Sequence, residues 1–188
     1  HNLFYNIYNN IYFSTFPYLL YKETDSITSI KKFSSGNCIA ISNFIKIYLL
    51  NNYNIKSYII PASVCSRNKV EGTPNMCHCA VLIPISLTEF YIIDSSLYFL
   101  EPMYCSVSNN KKRTIDSSDI YSYEKVKIHY IIQNCNNTII DKKYAQIIPE
   151  NTLCVNSYEN DNINDSWNYY LIEIKNPDNN IGYSFLSN

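Results

Sequence analysis

The order of periodic segments predicts an α+β fold, with a central helix that carries Cys38 packed on an antiparallel β-sheet. Two observations carry this. A helical apolar stripe fills residues 38–50, and a run of β-branched and aromatic segments follows it. The length of 188 residues suits one domain, 1–188, large enough to bury its own core. Within it, residues 1–32 read as an N-terminal helical part, 34–98 as the core of the site, and 120–188 as the remaining strands.

The elements follow in chain order. Residues 1–32 have apolar residues at helical spacing and a break at Pro17, which predicts one or two helices. Over 38–50, Ile41, Phe44, Ile45, Tyr48 and Leu49 recur at i, i+3, i+4, i+7 and i+8. Ile39, Ile47 and Leu50 widen that stripe, so the helix reads as buried on most of its surface, with Asn51-Asn52 ending it. Strands are predicted at 55–64, 78–85, 89–94, 125–132 and 167–174, with a short last one at 181–186. Residues 105–119 and 156–166 read as polar loops.

Composition narrows the function classes. A hydrophobic fraction of 46% with 16% charged residues is that of a globular protein. The formal net charge of −1 provides no field toward nucleic acid or anionic lipid, and Lys111-Lys112-Arg113 reads as a solvated loop. No run approaches the ~18 apolar residues of a membrane-spanning helix. Seven irregularly spaced cysteines, Cys38, Cys65, Cys77, Cys79, Cys105, Cys135 and Cys154, suggest reduced thiols and an intracellular, cytoplasmic setting. The bias toward Asn, Ile, Tyr and Lys points to an AT-rich genome, such as that of a protist or a large DNA virus. The chain begins with His1 and not Met, so it reads as an excised domain.

Candidate chemistry centres on "SSGNC", residues 34–38. A cysteine in the first turn of a helix meets unpaired backbone N–H groups and the positive end of the macrodipole, both of which favour thiolate. Those N–H groups also suit an oxyanion, with Gly36 and Asn37 as supporting residues. Alone, Cys38 reads as a buried structural thiol, because free cysteine is among the most buried residue types. The strands after it change that reading. A hairpin turning at Ile85-Ser86-Leu87 sets Pro84 against Thr88, Leu82 against Phe90, Ala80 against Ile92 and His78 against Asp94. Cys38, His78 and Asp94 then form nucleophile, base and orienting group.

"Cys77-His78-Cys79" also invites a zinc reading, but strand alternation turns the two cysteines away from His78 and no CxxC pair exists, so no metal or cofactor is expected. His129, in mid-strand, reads as a hydrogen-bonded packing residue, and Trp167 as core or groove wall.

The stretches "SGNCIAISNFIKIYLLNNYNIKSYIIPASV" and "HCAVLIPISLTEFYIIDSS" resemble the core of the transglutaminase-like superfamily, over about residues 34–98. In that superfamily a G-x-C motif opens a buried helix, a His starts a later strand, and an Asp lies about sixteen residues further on a neighbouring strand, an order matched here by Cys38, His78 and Asp94. The resemblance implies a papain-like fold and thiol chemistry on a carboxamide. The activity it favours is a hydrolase that cleaves amide or isopeptide bonds of a protein or peptide, including those of a ubiquitin-like modifier. Acyl transfer to an amine (a transglutaminase or amine N-acyltransferase) is one alternative. An inactive binding module of the same fold is another.

Overall fold

The computed structural model describes residues 9–23, 25–66, 69, 71–94, 101–118, 125–135, 139–143, 145–159 and 165–175. It combines helices with a mostly antiparallel sheet, as the order of segments predicts. The N-terminal part is a short strand β1 (Tyr12–Phe13) and helices α1 (Phe16–Tyr21) and α2 (Ser26–Phe33). Pro17 does not break a helix; it lies in the first turn of α1, where its missing N–H costs nothing. Asp25 caps α2 by accepting a bond from the Thr28 N–H at 2.7 Å. Strand β2 (Ser35–Gly36) then pairs in parallel with β1 and leads into α3 (Cys38–Tyr53).

The strands that follow are β3 (Tyr58–Ser63), β4 (His78–Pro84), β5 (Glu89–Ile93), β6 (Met103–Ser106), β7 (Arg113–Ser118), β8 (Lys125–Asn134), β9 (Ile139–Asp141), β10 (Gln146–Ile147), β11 (Leu153–Glu159) and β12 (Trp167–Tyr170). Among the described residues eight of them form one antiparallel sheet in the order β6-β5-β4-β3-β12-β11-β8-β7. The predicted strands are present, several with shifted ends; 167–174 is strand only to Tyr170, and 181–186 lies outside the described residues.

The two predicted loops are corrected. Residues 105–119 contain the end of β6 and all of β7, and residues 156–159 belong to β11. Both segments are polar strands whose apolar side is small. Ile115 is buried on β7, while β11 buries Asn156 and Ser157 with partners on β12: the Asn168 amide for the first and the Trp167 carbonyl for the second.

The sheet curls until its two edges approach. Side chains of β6 (Met103, Cys105) and β7 (Ile115) share one core with Ile60, Ala80, Ile92 and Val155. Across the gap the Tyr130 hydroxyl donates to the Tyr104 carbonyl at 2.9 Å, and the Arg113 guanidinium sits 4.7 Å from the Tyr104 ring. Curling of this kind covers edges that would otherwise recruit other chains. On the opposite face, α3 lays Ile41, Ile45 and Leu49 on Val81 and Ile93.

The expectation of a helix buried on most of its surface holds only for its first half. Ile47 is 39% exposed, and Leu50 and Tyr53 are exposed as well. The sheet and α2 cover the N-terminal turns, and nothing among the described residues covers the outer side beyond them. Ile92→Ala should therefore lower the unfolding free energy by about 2–5 kcal/mol in a urea titration, as removing a fully buried aliphatic side chain does. Ile47→Ala should stay within about 0.5 kcal/mol of the native chain, as surface changes do.

Candidate active site

Cys38 is the first residue of α3, and three features hold it there. Asn37 is in extended conformation as the N-cap, and its Oδ1 accepts the Ala40 N–H at 3.0 Å and the Tyr18 hydroxyl at 3.2 Å. The strand before it is fixed from the other side, where the Ser14 N–H donates to the Gly36 carbonyl at 2.8 Å. Gly36 serves by its lack of a side chain: a Cβ there would fall 2.4 Å from Ala40 Cβ and 3.3 Å from the Tyr18 hydroxyl. Its role is close approach. The side-chain oxygen of Asn37 is committed to the helix and to Tyr18.

His78 opens β4 and Asp94 directly follows β5. The hairpin between them differs from the predicted one. Val81 pairs with Ile93, Leu82 with Ile92, Ile83 with Tyr91 and Pro84 with Phe90, a register two residues away from the expected one. The turn lies one residue later, over Ser86-Leu87-Thr88, because the Ile85 N–H donates to the Glu89 carbonyl at 2.9 Å and closes the ladder there. A shift of two preserves the face of every side chain. His78 and Asp94 are thus diagonal neighbours and not directly opposed. The imidazole spans the diagonal, and Nε2 meets Asp94 Oδ2 at 2.6 Å.

Two residues from β12 complete this side. The Tyr169 hydroxyl donates to the same Asp94 Oδ2 at 3.0 Å. Trp167 packs edge-on against the His78 ring, with centroids 5.3 Å apart and planes at 75°. Both arrive through the pairing of Asn168 with Ser63 and Tyr169 with Ala62, next to the pairing of Ala62 with His78. The site is tightly closed: Cys38 is 8% exposed, His78 4% and Asp94 1%.

All seven cysteines are free, and the electrostatics separate Cys38 from the other six. Its pKa is lowered to about 5, first by a hydrogen bond with the Cys79 thiol, against the cost of burial, and then by the hydrogen bond and charge of His78. Burial works against a charged His78. The charge and hydrogen bond of Asp94, followed by those of Cys38, outweigh it and hold the imidazole well above its ordinary value. These influences favour thiolate at Cys38 and imidazolium at His78. Burial pushes the Cys105 thiol up to about 12.

All five residues expected at the site are there, and Trp167, Tyr169 and Cys79 join them. His129 is elsewhere in the sheet, on β8, with Nδ1 3.0 Å from the Thr114 hydroxyl, in the hydrogen-bonded packing role expected of it. Period-2 alternation in "WNYY" already places Trp167 and Tyr169 on one face, but not beside His78. Cys79 does lie on the strand face opposite His78. That face is the one covered by α3, which brings Cys38 to it. In comparisons with protein-family models, curated proteins and solved structures, nothing matched the chain.

Gly36→Ala would drive a methyl group into Ala40 and displace the first turn of α3. We expect a loss of about 1–3 kcal/mol of stability by thermal or urea unfolding. Slower alkylation of Cys38 should accompany it, read by mass spectrometry.

Proposed function

We propose that this protein is a thiol-dependent hydrolase of papain-like, transglutaminase-like fold that cleaves amide or isopeptide bonds of a protein or peptide substrate. The observation that carries this is the joint placement of three groups. The Cys38 thiol lies at a helix N-terminus, the His78 imidazole acts on that thiol, and Asp94 is bonded to His78 Nε2. With Nε2 engaged by the carboxylate, Nδ1 is the ring nitrogen left for sulfur and substrate.

The proposed chemistry runs through a thioester. The Cys38 thiolate attacks the carbonyl carbon, and the Cys38 backbone N–H at the start of α3 stabilises the oxygen that becomes negative. Imidazolium His78 gives its proton to the departing amine as the C–N bond breaks, leaving the acyl group on sulfur. Neutral His78 then takes a proton from water, which attacks the thioester and releases a carboxylic acid and the thiol. Asp94 fixes the imidazole's tautomer and ring, the Tyr169 hydroxyl fixes Asp94, and Trp167 shields the ion pair from water. The closure of the site favours a second reading, in which an amine and not water takes the acyl group, because a shielded thioester is protected from hydrolysis. A ubiquitin-like modifier is the substrate class for which an isopeptidase of this kind is proposed.

Several measurements test this reading. Site-resolved alkylation with iodoacetamide at pH 7 should modify Cys38 about tenfold or more faster than the other six cysteines. Equal rates would leave a binding module. Ubiquitin with a C-terminal electrophile should form an adduct on Cys38 and none on Cys38→Ala. Incorporation of a labelled amine into a glutamine-containing protein would select the transferase reading.

Turnover should also depend on pH in a defined way. It should rise as pH passes about 5, where Cys38 loses its proton, and fall on the alkaline side where His78 loses the proton it must donate. Asp94→Asn removes the charge that raises His78, so the alkaline limb should move to lower pH. His78→Ala should cost about 10²–10⁴-fold in turnover.

A further inference from the structure

Large apolar side chains stand exposed close together over residues 12–21, and the proposed chemistry uses none of them. Helix α1 is short, and its residues divide between two sides. Pro17 and Tyr18 are buried toward the start of α3, where the Tyr18 hydroxyl donates to Asn37 Oδ1. At about 100° per residue, Phe16, Leu19 and Leu20 fall on the other side. Leu19 is 62% exposed and Leu20 69%. Tyr21, 58% exposed, closes the helix and stacks on Phe33 at the end of α2, with ring centroids 4.9 Å apart. Phe16 meets both rings edge-on, at 5.4 and 6.5 Å. The strand before the helix adds Tyr12 and Phe13, 63% and 42% exposed.

The area decides what such a patch can do. With about 150–250 Å² for a large aromatic side chain and somewhat less for leucine, these six residues present on the order of 600 Å² of apolar surface. A standard interface takes about 800 Å² from each partner, a little over half of it apolar. The patch therefore supplies the whole apolar share of one side of such an interface.

Two further features select a second copy of this chain as the partner. The first is an open strand edge. Among the described residues β1 pairs with β2 on one side only, and the Tyr12 and Ser14 N–H groups bond there to the Ser34 and Gly36 carbonyls. The Phe13 N–H therefore points to the other side. An open edge beside an apolar patch can meet its own copy across a twofold axis. The second feature is charge. The rim carries Lys22, Lys31 and Lys32, and also Glu23 and Asp25. A twofold partner matches both signs, whereas an anionic lipid surface attracts cations alone.

We propose that this face is the interface of a homodimer, in which α1 and β1 of one protomer meet α1 and β1 of its partner about a twofold axis. Leu20, the most exposed of the six residues, lies at that axis. The inner side of α1 bonds Asn37, so each candidate site has its helix cap directly behind the interface. The inference stands independently of the role of Cys38.

Sedimentation velocity of the full chain over about 1–100 μM reads the oligomeric state directly. The native chain should sediment as a dimer at the upper concentrations. Leu20→Lys and Leu20→Glu each set like charges against one another at the axis and should weaken association about tenfold or more, with circular dichroism to check that both fold. Mixed in equal amounts, the two variants should associate again. Leu50→Lys, on the exposed side of α3, should leave the dimer intact.

A native chain that stays monomeric across that range overturns the proposal. So does a dimer that the Leu20 variants leave intact or that Leu50→Lys dissociates. A variant mixture that stays monomeric overturns the twofold arrangement. Binding of a monomeric native chain to vesicles of phosphatidylserine and phosphatidylcholine overturns it too, by assigning the face to a lipid surface.

Discussion

The bond between His78 Nε2 and Asp94 Oδ2 is the interaction on which the rest of the site depends. The carboxylate it engages is 1% exposed, and a buried charge without partners costs several kcal/mol. Asp94 is stable there because an imidazole and the Tyr169 hydroxyl both bond to one of its oxygens. These partners come from different parts of the chain, and this sets the architecture. Strands β4 and β5 must pair to bring the imidazole, and β12 must join β3 to bring the tyrosine. The orientation of His78, and through it the state of Cys38, follows from that three-way contact.

The same residue type behaves in opposite ways within this molecule, which shows what location contributes. Cys105 and Cys154 are buried in the sheet, and burial, joined at Cys154 by the neighbouring Cys135 thiol, pushes their thiols up. Cys38 is just as enclosed, yet its pKa falls because donors surround it. Burial penalises the thiolate at every one of these positions. Only a thiol adjacent to a second S–H and a charged imidazole overcomes the penalty. Position along the helix adds to this, since Asn37 satisfies the Ala40 N–H and leaves the start of the helix facing the sulfur.

Much of this was legible in the residues. The apolar stripe of residues 38–50 marks α3, and the β-branched runs mark β3, β4, β5, β8 and β12. The order Cys38, His78, Asp94 and their spacing point to the candidate site, and even an error of two in hairpin register kept His78 and Asp94 on one face. Strands β7 and β11 were not legible, because their residues are largely polar and find their partners only across the ladder: Asn156 and Ser157 are meaningless until β12 lies beside them. Trp167 and Tyr169 were hidden for a related reason. Their approach to His78 depends on Asn168 pairing with Ser63, a contact between strands that no local pattern announces. Cys79 was assigned the correct side of its strand. What the alternation did not reveal is that the helix bearing Cys38 covers that side.

The pairing of β12 with β3 has a consequence for the order of events during synthesis. The thiol, the imidazole and the carboxylate all lie within residues 38–94, so a ribosome makes them before β12. Trp167 and Tyr169, which pack on the imidazole and bond the carboxylate, come much later in the sequence and from the other side of β3 in the sheet. A nascent chain thus carries every reactive group of the site well before it carries the strand that organises them. Strand β12 acts as the keystone, so Cys38 acquires its full surroundings only once that strand has been made.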